Sequence, residues 1–160
     1  MKKFLFVFAF VLASITANAQ FEQGKWMINS SLTTFDLSFK GGDNHLGFMA
    51  EGGYLLKDNI ALIGTLGGDW KSGKDTYTIG AKARYYFSKV GLFAGAGLQY
   101  QNIQFSHAGS DNSFGLKLEG GYSFFLGQSF AIEPAVYYDL SFTDSDYSRF
   151  GLKLGFSYYF

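Results

Sequence analysis

The chain has 160 residues, 48% of them hydrophobic and 20% aromatic, with 21 Gly, one Pro and no Cys; this excludes a disordered tail and a disulfide-stapled secreted domain. Thirteen Lys plus Arg balance thirteen Asp plus Glu, so no basic excess invites nucleic acid and no acidic excess invites cations. Length alone gives one domain as the starting expectation.

The N-terminus reads as a targeting segment. Met1, Lys2 and Lys3 form a basic n-region, Phe4 to Leu12 is an uninterrupted apolar run, and Ala17-Asn18-Ala19 is a small-x-small cleavage site. This is the pattern of a secretory signal peptide, cleaved after Ala19 on export through the Sec pathway. The apolar core is shorter than the ~20 residues of a membrane-spanning helix. The expected domains are therefore a leader over 1–19 and a slightly acidic mature chain over 20–160, with no Cys after the cleavage site to carry a lipid.

No later stretch approaches the roughly eighteen consecutive apolar residues of a membrane helix. Alternation takes their place, and eight strands are predicted near 25–40, 44–57, 59–71, 75–87, 91–106, 112–125, 129–143 and 147–160. The last strand shows the period best: Leu152, Leu154, Phe156, Tyr158 and Phe160 share one face, and Gly151, Lys153, Gly155, Ser157 and Tyr159 the other. Turn-forming residues separate the strands, as at Asp58-Asn59, Ser72-Gly73 and Gly127-Gln128. Two places break the pattern. Strand one slips phase between Leu32 and Phe35, which predicts a bulge, and Pro134 removes a ladder donor inside strand seven.

Which face is apolar decides between two barrels. A soluble lipocalin-like barrel turns its apolar residues inward, and a membrane barrel turns them outward to lipid. Opposite the aliphatic and aromatic rows lie Glu51, Lys82, Arg84, Lys117, Glu119, Glu133 and Lys153, interleaved with Gly, Ala and Ser. Such a set can fill a narrow lumen, and strands this long exceed the ~9–11 residues that cross a bilayer at a steep tilt. The fold expected is all-β: an eight-stranded antiparallel up-and-down transmembrane β-barrel. Trp26, Tyr54, Trp70, Tyr77, Tyr85, Phe87, Tyr100, Tyr122, Phe124, Tyr158 and Phe160 would supply interfacial aromatic girdles.

The chain resembles the small bacterial outer-membrane β-barrels of the OmpX-like and OmpA-like porin family. The resemblance spans the mature chain and is carried by Gly53 to Leu62 around the Asp58-Asn59 turn, by Arg84-Tyr85-Tyr86-Phe87, and by the terminal strand ending on Phe160. It implies a location in the cell outer membrane of a Gram-negative-type envelope, with outer-membrane lipids, periplasmic chaperones and the barrel assembly machinery as partners. It also implies Leu154, Phe156, Tyr158 and Phe160 as the C-terminal signal that the machinery reads.

Little in the chain suggests catalysis or a cofactor. Ser106, His107, Ser110 and Asp111 cluster near one outer loop and would suit a lipid-modifying enzyme only if they met in space; polar loop residues facing water is the simpler account. His45 and His107 lack further ligands at metal-binding spacing. No helix follows Gly91, Gly95 and Gly97, so they make no phosphate loop. What remains is the luminal set of seven charges, which must be paired or wetted when buried and so should link into one network. Because eight strands leave a lumen that side chains can fill, the expectation is a non-enzymatic barrel with a plugged lumen and a structural or surface-interaction role. A narrow passive channel comes next, and a lipid-modifying enzyme third.

Overall fold

Period-two alternation along the chain becomes a single closed sheet. The computed structural model describes residues 21–38, 41–43, 46–71, 74–87, 91–105, 109–143 and 148–160. The expected leader over 1–19, His45, Ser106 and His107 lie outside the described residues. The strands are β1 (Trp26–Ser38), β2 (Gly41–Asp43), β3 (Leu46–Lys57), β4 (Ile60–Lys71), β5 (Lys74–Phe87), β6 (Leu92–Phe105), β7 (Gly109–Tyr122), β8 (Phe124–Phe125), β9 (Phe130–Ser141) and β10 (Arg149–Tyr159). The short β2 extends β3 along β1, and β8 extends β7 along β9, so ten segments make eight staves. Neighbours pair antiparallel in sequence order, and β10 pairs with both β9 and β1. That last pairing closes the barrel and removes its sheet edges.

The irregularities follow from particular residues. The register of β1 on β10 steps from Thr33↔Lys153 to Phe35↔Leu152, so the phase slip is a bulge. A second step between Leu55 and Lys57 adjoins the tight turn in which Asn59 takes φ 69°, a left-handed conformation that Asn tolerates better than most residues. The break between β7 and β8, at Ser123, comes one residue past the position opposite Pro134, which has no N–H to give. At the other end β7 begins at Gly109 rather than near 112, because its polar residues stay in the ladder: the Asn102 amide donates to Asn112 Oδ1 at 2.8 Å. The β6–β7 ladder reaches Phe105↔Gly109, while the β7–β9 ladder starts only at Gly115↔Ser141, so this hairpin rises above its neighbour.

The barrel is inside-out relative to a soluble one. Leu66 is 61% exposed and Ile79 56%, whereas Glu51 is 2% and Arg84 1% exposed; the polar face is the interior, which overturns the lipocalin-like alternative. On the outer wall Trp26, Tyr54, Tyr85, Phe87, Tyr122, Phe124, Tyr158 and Phe160 ring the end that carries the short turns, and Trp70, Tyr77, Tyr100 and Phe114 ring the other. Ring pairs such as Trp26–Tyr54 at 5.0 Å and Tyr122–Phe124 at 4.3 Å stiffen the first belt.

Candidate functional site

Six of the seven charged residues singled out on the polar face meet in the lumen, brought there from β3, β5, β7, β9 and β10 by strand parity. Lys82 Nζ lies 2.6 Å from Glu51 Oε1 and 2.7 Å from Glu119 Oε2. Arg84 forks between carboxylates, with Nη2 2.7 Å from Glu119 and Nη1 2.8 Å from Glu133, and it also reaches Glu51 at 3.4 Å. Lys153 approaches Glu119 at 2.6 Å and Glu51 at 3.5 Å. Three cations thus meet three anions, so the cluster is neutral while its members are buried. Glu133 is further held by the hydroxyls of Ser123 at 2.9 Å and Tyr159 at 2.7 Å, and by the Asn29 amide at 3.2 Å. These neutral donors occupy lone pairs that the cations leave free, which is what a buried carboxylate requires.

Lys117 does not join this network. The β7–β9 register sets it directly across from Asp139, and its Nζ lies 3.1 Å from Asp139 Oδ1 and over the Tyr137 ring at 4.5 Å. Asp139 in turn meets Arg149 at 3.9 Å, and Arg149 meets Asp69 at 3.6 Å, forming a second chain of charges nearer the outer rim. One set of seven linked charges is therefore corrected to two clusters. The physical reason is height: Lys117 stands two residues above Glu119 on the same strand, beside an anion of its own.

Glycines make room for the main cluster. A Cβ at Gly97 would collide with Lys82 and the Ala81 carbonyl, and one at Gly95 would lie 2.9 Å from Glu119 Cγ. These residues of β6 hold no phosphate; their bare backbone lets the long charged chains lie flat against the wall.

Beneath the charges lies an aromatic floor. Phe21, which precedes β1, is 3% exposed and stacks on Tyr86 with ring centroids 4.0 Å apart, with Phe125 at 5.4 Å and Tyr159 at 5.7 Å edge-on. The segment is tied to the β3–β4 turn: Asn59 N–H donates to the Phe21 carbonyl at 2.8 Å, Gly24 N–H to the Leu55 carbonyl at 2.9 Å, and Gln23 N–H to Asp58 Oδ1 at 2.9 Å. The two layers are continuous, since Arg84 lies over the Phe93 ring at 4.2 Å and reaches the Tyr86 hydroxyl at 3.3 Å. Sequence reasoning missed this floor. Tyr86 and Tyr159 could have been found as aromatics on the charged parity, whereas Phe21 lies ahead of any strand and carries no periodic signal.

Of the terminal residues, Leu154, Tyr158 and Phe160 point outward and are exposed, and Phe156 is half-buried against Phe130 at 6.5 Å. Phe160 completes the seam through reciprocal backbone bonds with Trp26 of 2.8 and 3.0 Å. Ser110 and Asp111 are exposed on the projecting hairpin. Among the described residues no group of His, Cys, Asp and Glu could hold a metal ion.

This architecture, a closed eight-stave barrel with an apolar wall and an ionic interior, is that of the small transmembrane β-barrels. No family model matches the chain, and no curated protein matches it in sequence. Solved structures do match in fold. The N-terminal β-barrel domain of Pseudomonas aeruginosa OprF superposes with a TM-score of 0.72 at 18% identity, over 86% of this chain and 98% of that one. Neisserial surface protein A gives 0.68 at 16% identity, over 85% and 97%. Ail, the attachment invasion locus protein of Yersinia pestis, in complex with the heparin analogue sucrose octasulfate, gives 0.58 at 18% identity, over 86% and 99%.

Proposed function

We propose that the protein is a non-enzymatic integral barrel of the outer membrane, exported with a cleaved leader over 1–19, that serves a structural or surface-interaction role and has a lumen sealed by its own side chains. The seal carries this reading: a neutral cluster of three buried cations and three buried anions rests on a floor of Phe21, Tyr86, Phe125 and Tyr159. An ion entering the lumen would have to displace partners from charges that cannot be left bare at that depth. The projecting β6–β7 hairpin, with Asn102, Gln104, Ser110, Asp111 and Asn112 at its sides, offers a polar rim for partners outside the membrane. Outer-membrane lipids surround the wall, and the row Leu154, Phe156, Tyr158 and Phe160 serves as the assembly signal.

The test is single-channel recording on the mature protein refolded into planar bilayers, alongside fractionation of expressing cells. The protein should partition with the outer membrane, migrate faster on gels before boiling than after, and carry no steady current. A stable current through the wild type would replace the sealed scaffold with a narrow passive channel.

A further inference from the structure

Pro134 removes a hydrogen-bond donor from the wall at one defined place. Even-numbered residues of β7 exchange backbone bonds with the β9 side, as the 2.9 Å bond from Phe142 N–H to the Phe114 carbonyl fixes. Odd-numbered ones turn to the β6 side, as the 2.8 Å bond from Ser123 N–H to the Gly91 carbonyl fixes. Continuing the register Gly120↔Val136 and Gly121↔Ala135 by one residue sets Tyr122 opposite Pro134. The Tyr122 carbonyl therefore faces a ring nitrogen that bears no hydrogen. A backbone carbonyl without its ladder donor takes one from outside the sheet, and at this end of the wall water and the donors of lipid head groups compete for it.

The same place is a groove on the outer wall, with a volume of about 780 Å³, lined by Leu92, Gly120, Pro134, Val136, Leu152 and Leu154 and ending at Tyr122. Gly120 and Pro134 leave it hollow. It is open along the wall, so it suits an acyl chain lying lengthwise rather than an enclosed ligand. Its two ends differ: the body is aliphatic, and the Tyr122 end belongs, with Phe87 and Phe124, to the aromatic belt where head groups lie. An occupant complementary to both has an acyl chain and a head group that donates N–H hydrogen bonds.

We propose that this groove is a binding site for phosphatidylethanolamine, with one acyl chain along Gly120, Pro134 and Leu154 and the primary ammonium on the Tyr122 carbonyl. The site rests on the reading that this wall faces membrane lipid. Phosphatidylcholine, whose trimethylated nitrogen has no hydrogen to donate, is the matched control.

Two substitutions separate the chain subsite from the head-group subsite. A Cβ at Gly120 would meet only the Phe93 carbonyl at 3.8 Å, so Gly120→Leu fills the groove without disturbing the wall. Pro134→Ala keeps the groove hollow and returns the missing N–H to the Tyr122 carbonyl. Native mass spectrometry of the mature protein, refolded in detergent and mixed with the two lipids at equal chain length, reads retention directly, and heat-shifted gel mobility confirms that each variant is folded. Wild type should retain phosphatidylethanolamine on the order of tenfold over phosphatidylcholine, as expected for one hydrogen bond between a charged donor and a carbonyl. Pro134→Ala should lose that preference and Gly120→Leu should lose both lipids. Equal retention by folded wild type, or a preference unchanged in Pro134→Ala, overturns the site while leaving the barrel in its membrane. A two-chain species abolished by Gly120→Leu would assign the groove to a second copy and overturn it too.

Discussion

Within the lumen three cations converge on Glu119, at 2.7 Å from Lys82, 2.7 Å from Arg84 and 2.6 Å from Lys153. Glu51 makes one close pair, with Lys82 at 2.6 Å, and two looser ones at 3.4 and 3.5 Å. Removing one member of a buried pair strands the other's charge, which costs about 3–5 kcal/mol, whereas removing both partners costs less than the sum. Glu119→Gln should therefore lower the urea midpoint in a refolded, bilayer-bound sample more than Glu51→Gln does. Pairing Glu119→Gln with Arg84→Gln should give a loss smaller than the two single losses added. Equal effects of Glu119→Gln and Glu51→Gln, or strict additivity in the double variant, would contradict convergence on Glu119. The inward parity of these residues is legible in the alternation, but their partnering is not. Asp139 shares the inward face with Glu133, yet only the β7–β9 register shows that it balances Lys117.

At the scale of an element, β10 does two opposed jobs on its two faces. Lys153, Ser157 and Tyr159 enter the interior, where Ser157 is fully buried and accepts from the Asn29 amide at 2.6 Å, while Leu152, Leu154 and Tyr158 stay exposed on the wall. A one-residue slip would exchange the faces, so the strict period fixes the register. That is also why strand parity could be read without a structure: each strand separates an exposed apolar wall from a charged lumen, and the two environments demand opposite residues. Strand ends were less legible. Ser110 and Asp111 fall in the gap expected between the strands near 91–106 and 112–125 but remain in β7, because pairing with β6 outweighs local turn preference. A charge placed on the wall should report depth. Leu154→Arg, near the middle of β10, should cost about 2–4 kcal/mol and lower the folded fraction seen by heat-shifted mobility, whereas an exposed rim position such as Ser110→Arg should cost close to nothing. Equal folding of the two variants would mean that β10 does not face lipid.

For the whole molecule, closure of the sheet leaves the lumen with two seals in series, and a path in series is blocked by whichever seal remains. The aromatic floor depends on a segment outside the barrel wall, held by Phe21 against Tyr86, Phe125 and Tyr159 and by bonds to the β3–β4 turn. Replacing a buried Phe by Ala typically costs about 3–5 kcal/mol when the site cannot relax. Here the segment can detach locally instead of unfolding the barrel. Phe21→Ala should therefore speed hydrogen exchange at the Asn59 amide, which donates to the Phe21 carbonyl at 2.8 Å, while amides in the middle of β5 and β6 keep their protection. It should still carry no steady current, because the cluster around Glu119 stays intact above it. Glu51→Gln loosens that cluster at its least tightly held carboxylate but leaves the floor in place, and it too should be silent. Only Phe21→Ala combined with Glu51→Gln opens both layers along one path, and brief openings should appear in single-channel records of that double variant once its heat-shifted mobility shows it is folded. Openings in the Phe21→Ala variant alone would mean that the ionic layer is no barrier. Silence in the folded double variant would place the decisive constriction elsewhere, with the Lys117, Asp139 and Arg149 chain nearer the rim as the next layer to open.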